Sequence, residues 1–271
     1  MVERPAEQHV ALVTGGGGGI GEALCLAIGG AGAFVIVTGR NQVRCGAVAE
    51  RVREAGGMAE AVALDVTDIR SIGTALSRIL ELAGPVDWLV NNAGFVTTAP
   101  LVAPEQERDL YRAHMDVNFH GARAVLEATL PGMLDLGYGQ VVQIASSAAL
   151  YGYSYVSAYA ASKHALLGYS RSAAHELAPR LIGVNVICPH YVESPMTDAS
   201  VALIAQRTGR QPAHIRSFLA SENPGGVMVT PEEVARLALD FLESERTGVV
   251  VELLGGGERE VDAGWRLEEP V

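Results

Sequence analysis

Tyr159 and Lys163 stand four residues apart in "SAYAASKHALLG", a stretch whose pattern predicts a helix over 158–178. That spacing brings both side chains onto one helix face, where they can act together. Free tyrosine ionises near pH ~10 and is a poor base at neutrality; a neighbouring ammonium favours the phenolate and makes the hydroxyl a usable acid and base. A second constellation is "LVTGGGGGIGEALC", residues 12–25. A strand that turns through glycines into a helix aims backbone N–H groups and the positive end of a helix dipole at one point, which suits a pyrophosphate. Two registers fit: G-x-G-x-x-G on Gly16, Gly18 and Gly21, and T-G-x-x-x-G-x-G on Thr14, Gly15, Gly19 and Gly21.

In a dinucleotide-binding fold the second strand ends beside the adenosine ribose, where an acid binds the 2′-hydroxyl of NAD. Here that strand ends "FVIVTGRN", with Thr38, Gly39 and Arg40 and no acid. Arg40 can pair with a 2′-phosphate through charge-assisted hydrogen bonds. NADP(H) is therefore favoured over NAD(H). Because the loop itself holds no basic residue, recognition of that phosphate is expected to rest on Arg40.

These residues need a frame. The runs "HVALVT", "AFVIVT", "MAEAVAL", "VDWLVN", "GQVVQIA", "GVNVIC" and "GVVVEL" read as seven strands, separated by predicted helices over 19–31, 41–55, 68–83, 104–135, 158–178 and 230–243. Continuous apolar strands covered by helices on both faces imply a mostly parallel sheet. The expected fold is α/β, a Rossmann-like doubly wound seven-stranded sheet in a single domain over 1–271. Between Pro189 and Thr230 the connection is too long for an ordinary loop and follows a strand's C-terminal end, so residues 190–229 read as a substrate lid. The acidic "EREVDAGWRLEEPV", 258–271, reads as a solvated tail, with Trp265 a candidate anchor against a neighbouring subunit.

Composition narrows the partners. A net charge of −11 and the absence of any Lys/Arg run argue against nucleic acid or an anionic membrane surface. Three cysteines without C-x-x-C spacing suggest neither a disulfide framework nor a metal site. Neither an export signal nor a membrane span is recognisable, and a cytoplasmic protein acting on small molecules is expected.

"TGGGGGIG", "NNAG" (Asn91–Gly94), "DVN" (Asp116–Asn118) and "SSAALYGYSYVSAYAASK" (146–163), in this order along the chain, resemble the short-chain dehydrogenase/reductase family in its single-domain form. The resemblance selects the register Thr14, Gly15, Gly19, Gly21. It implies Ser146, 13 residues before Tyr159, as the serine that orients the carbonyl, with Ser147 a turn residue. Asn118 matches the asparagine that holds a water next to the lysine, and Asp65 in "LDVTD" the residue that contacts adenine. The cofactor surface implied also takes in Ile20, Val66, Asn92, Ala93 and Gly94, together with Pro189, Val192, Ser194, Tyr159 and Lys163. His190 replaces the family's usual glycine and reads as a loop residue or as a contact to substrate or cofactor.

The implied activity is reversible hydride transfer between a secondary alcohol and a ketone. Lid residues Arg207, Arg210 and Arg216 suit a phosphate or carboxylate at the pocket mouth, so a thioester carrier such as coenzyme A fits, and the lid also resembles those of family members that act on 3-oxoacyl or 3-hydroxyacyl thioesters. A free ketone of steroid, polyketide or quinone type, and a non-catalytic cofactor-binding subunit, remain open beside it. A homodimer or homotetramer is implied by resemblance.

Overall fold

The computed structural model describes residues 9–101 and 109–267. Strands β1 (Val10–Val13), β2 (Phe34–Gly39), β3 (Met58–Ala63), β4 (Trp88–Asn91), β5 (Gly139–Ile144), β6 (Ile182–Pro189) and β7 (Arg246–Leu253) form a parallel sheet, joined at its edge by antiparallel β8 (Glu258–Arg266). The order β3-β2-β1-β4-β5-β6-β7-β8 reverses direction at β1, which pairs with both β2 and β4. Beyond the C-terminal ends of β1 and β4 the chain passes to helices on opposite faces of the sheet, the usual ligand position in such folds.

Helices α1 (Ile20–Gly30), α2 (Gln42–Glu54) and α9 (Pro231–Leu242) cover one face. On the other lie α3 (Ile69–Ala83), α4 (Leu110–Met115), α5 (Ala122–Leu136) and α6 (Ser157–Leu177). The strand pattern makes this division. In β1, Ala11 and Val13 pack towards α1 and α9, whereas Val10 and Leu12 pack towards α3 and α5. Helix starts are fixed locally: Asn41 accepts from the Arg44 N–H at 3.1 Å, and Thr230 forms a reciprocal capping box with Glu233. In the helix expected over 104–135, residues 104–108 lie outside the described residues, and a π-helical turn, Asp116–Gly121, joins α4 to α5.

The seven-stranded expectation is corrected by β8, in the segment read as a solvated tail. Its acids are answered by arginines of neighbouring elements: Arg236 to Glu258 at 2.8 Å, Arg246 to Glu260 at 2.9 Å and Arg171 to Asp262 at 2.7 Å. Trp265 packs within the chain, its ring 4.4 Å from that of His175 and lying over Gly248, where a Cβ would collide with it. Net acidity of a segment says nothing of the cations that the fold brings opposite it.

The stretch read as a lid contains α7 (Pro195–Thr208) and α8 (Pro212–Ser221). Val201, Ile215, Leu219 and Met228 give it a small core of its own.

Candidate active site

The glycine loop is built around Thr14 and Asn92. The Thr14 hydroxyl, 1% exposed, accepts from the N–H groups of Asn92 and Ala93, both at 3.0 Å. In return Asn92 Nδ2 donates to the carbonyls of Thr14 at 3.0 Å and Gly15 at 3.1 Å. The loops after β1 and β4 are thereby locked to each other. Gly19 is the N-cap of α1 at φ +56°, with no side chain capping the helix, so the first N–H groups of α1 remain available. A Cβ on Gly21 would fall on the Gly15 carbonyl oxygen. Both features belong to the register Thr14, Gly15, Gly19, Gly21.

Gly15, Gly19, Ile20 and Gly21 line a cavity with Arg40, Arg44, Asn92, Ala93, Gly94 and Ser194. The cradle fits a dinucleotide: side-chain-free backbone and an open helix start for the pyrophosphate, with two guanidinium groups at the end of β2. Beside Arg40, the structure places a second arginine, Arg44, on the wall of this cavity. It lies four residues on, in the first turn of α2, and the run "RNQVR" held the signal once Asn41 was recognised as an N-cap. Asp65 and Val66 do not line this cavity. The Asp65 carboxylate accepts from the Thr67 N–H at 3.0 Å and the Thr67 hydroxyl at 2.7 Å, and these bonds, helped by Arg40, hold it below the ordinary carboxylate range. Val66 supports Gly121 instead.

Ile20, Ser194 and Met196 are shared with a second, mostly apolar cavity of about 160 Å³. Ser146, Ser147, Tyr153, Tyr159, Pro189, His190 and Val192 line it, with Val96, Val156, Ile204 and Leu219 among its apolar walls. Ser146 hydrogen-bonds the Tyr159 hydroxyl and caps the short 3₁₀ turn after β5, accepting from the Ala148 N–H at 3.1 Å. Ser147 instead accepts from the Tyr153 hydroxyl at 3.0 Å. The two adjacent serines thus serve different tyrosines.

Lys163, 4% exposed, donates to the Ile144 carbonyl at 2.8 Å and lies 5.9 Å from the Tyr159 ring centroid. Burial pushes its pKa down to about 8, and pushes Tyr159 up to about 12 against the lowering effect of the Ser146 hydrogen bond. Burial is thus the largest influence on Tyr159 in the protein itself, and the ammonium of Lys163 is turned to a backbone carbonyl. Two of its three protons remain for other acceptors.

Asn118 sits in the π-helical turn and is fully buried. Its Oδ1 accepts from the Phe95 N–H at 3.0 Å, and its Nδ2 donates to the Phe95 carbonyl at 3.0 Å and to Ser162 at 3.1 Å. The side chain lies behind Gly94, where a Cβ would be 3.0 Å from Asn118 Oδ1 and 3.7 Å from Lys163 Nζ. Of the lid arginines, Arg216 pairs with Asp198, Arg207 donates to the Thr98 carbonyl at 2.9 Å, and Arg210 lines a separate cavity that shares Ile204 and Leu219 with the apolar one. Three arginines converging on one anion is therefore not the arrangement observed.

A family model described as short chain dehydrogenase matches residues 9–203. The 3-oxoacyl-[acyl-carrier-protein] reductase FabG of Thermotoga maritima is 32% identical over 254 residues, covering 92% of this chain and 98% of its own. A 3beta-hydroxysteroid dehydrogenase of Mediterraneibacter gnavus is 31% identical, with 92% and 95% covered. Among solved structures, an actinorhodin polyketide ketoreductase with NADPH superposes with a TM-score of 0.86 at 30% identity, covering 92% of this chain and 97% of that one.

Proposed function

The chain belongs to the short-chain dehydrogenase family and is an oxidoreductase of ketones and alcohols, and from that premise we propose an NADP(H)-preferring ketone reductase, reversible to the secondary alcohol, with Tyr159 as its acid/base. The carrying observation is convergence: Ser146 and Tyr159 open on an apolar cavity that shares Ile20, Ser194 and Met196 with the glycine-loop cavity.

The glycine loop and the start of α1 would hold the pyrophosphate, Arg40 and Arg44 a 2′-phosphate, and Ser194 the carboxamide end. A bound nicotinamide supplies the hydride in reduction and accepts it in oxidation. Ser146 holds the substrate oxygen, to which Tyr159 delivers its proton. A phenol kept protonated by burial suits that direction. The Lys163 ammonium beside it stabilises the phenolate left behind. Apolar walls keep water from the reacting carbon.

Two substrate classes compete. A compact free ketone is supported by the small apolar cavity, and it agrees with a relative that bears the name of a hydroxysteroid dehydrogenase. A 3-oxoacyl thioester is supported by the FabG relative and by Arg210 in the adjoining cavity. Comparing NADPH-linked reduction of acetoacetyl-CoA with that of uncharged cyclic ketones tests this. A kcat/KM preference for the thioester would support the carrier reading, and preference for the ketone would remove it. Assembly as a homodimer or homotetramer belongs to the same proposal and is read by light scattering.

A further inference from the structure

His190 follows directly on β6, and its imidazole is one of the few polar groups on the wall of the apolar cavity. Its Nε2 lies 2.6 Å from Oε1 of Glu252 on β7, a carboxylate with no exposed surface. The other oxygen, Oε2, accepts from the Tyr151 hydroxyl at 3.3 Å and from the Arg259 guanidinium of β8. A carboxylate only accepts, so Nε2 carries the proton of this contact. Arg259 also donates to Glu252, so the carboxylate is shared between a guanidinium and the Nε2–H of the ring, and in that tautomer the other ring nitrogen bears no proton. Nδ1 is then a lone-pair acceptor.

No hydrogen bond from a described residue reaches Nδ1. The Tyr151 hydroxyl is directed to Glu252, and that of Tyr153 to Ser147. The backbone N–H of His190 donates to the Leu253 carbonyl at 3.1 Å, so main chain and ring are both fixed to β7. An acceptor held rigidly on a ring that lines an apolar cavity favours a ligand that brings it a donor.

We propose that Nδ1 of His190 is a second recognition point for the substrate, accepting a hydrogen bond from a hydroxyl or phenol that the substrate carries in addition to its reacting carbonyl. The proposal rests on the ketone-reductase reading and deepens it: the substrate is a largely apolar ketone with a second hydroxyl at a distance from the carbonyl. Glu252 is a positioning residue that fixes the tautomer. A site built to pair a substrate hydroxyl discriminates against the analogue that lacks it, because the protein acceptor is then left unpaired.

The test compares 2-tetralone with its 5-, 6- and 7-hydroxy derivatives as substrates of the whole protein, with NADPH and with NADH. We expect kcat/KM for at least one hydroxytetralone to exceed that for 2-tetralone by about tenfold, mainly through KM. In His190→Leu that ratio falls to about one, while His190→Gln, whose amide oxygen can still accept, retains part of it. Equal use of all four ketones by the wild-type protein overturns the proposal without recourse to any variant, and so does a preference that survives in His190→Leu; both leave the ketone-reductase reading standing. Failure to reduce any tetralone with either cofactor removes the apolar-ketone reading, and the proposal with it.

Discussion

Lys163 reaches from α6 to the end of β5 and places its ammonium 2.8 Å from the carbonyl oxygen of Ile144. One backbone carbonyl is slight compensation for a buried charge, and burial lowers the lysine from its usual 10.5 to about 8. Such a lowering corresponds to about 3 kcal/mol of destabilisation while the group is charged in both folded and unfolded states.

Lys163→Met is therefore expected to abolish turnover and to raise unfolding stability at neutral pH by up to about 3 kcal/mol. Above the folded pKa of about 8 the native state sheds its proton while the unfolded state keeps it until about 10.5, so wild-type stability rises with pH across this window. The advantage of the variant should thus narrow between pH ~8 and ~10.5. Urea unfolding of both proteins at several pH values checks this, and a gap independent of pH would contradict it.

Arg40 and Arg44 face the same cavity. Replacing either by alanine should weaken NADPH binding by about tenfold to a hundredfold, as expected for a lost charge-assisted hydrogen bond. NADH binding, which involves no 2′-phosphate, should change little. Fluorescence titration with the two nucleotides checks both arms. An unchanged NADPH affinity in Arg44→Ala would return the whole role to Arg40.

A Cβ on Gly21 has no room beside the Gly15 carbonyl, whereas Gly30, in the last turn of the same helix, faces open space. Gly21→Ala should lose nucleotide binding and lower the melting temperature by several degrees. Gly30→Ala should bind normally and be unchanged or slightly stabilised through helix propensity. Calorimetry with and without NADPH separates the two.

Trp265 holds β8 onto the sheet through His175 and Gly248. Trp265→Ala is expected to cost about 2 kcal/mol, below the range for a fully buried tryptophan because the ring keeps some exposure. Denaturant unfolding measures it. Wild-type stability in this variant would restore the reading of residues 258–271 as a solvated tail.

The parts of this fold that were legible in the sequence are those that local chemistry determines. Apolar runs gave seven strands within a few residues, and the helices expected over 41–55 and 230–243 start where Asn41 and Thr230 cap them. The glycine register was read through the family resemblance, since Gly21 belongs to both spacings; the structure adds the contact of Gly21 with the Gly15 carbonyl and the N-cap role of Gly19. What stayed hidden depends on pairing at long range. β8 looked like an acidic tail because its partners Arg171, Arg236 and Arg246 lie far from it in sequence. Arg44 was passed over because a helix start, not a strand end, carries it to the cavity. His190 was visible as a departure from the family pattern, but Glu252, 62 residues away, gives the imidazole its orientation.

Proton delivery by Tyr159 to a bound ketone is the step on which the proposed reaction turns. The most direct measurement is the rate of NADPH oxidation by wild-type protein and Tyr159→Phe with one reducible ketone, alongside NADPH affinity by titration. The account requires turnover to fall by about a hundredfold to ten-thousandfold, the usual worth of a positioned acid, while NADPH affinity stays within about twofold because the phosphate and ribose contacts of the glycine loop are untouched. Wild-type turnover in Tyr159→Phe would contradict it.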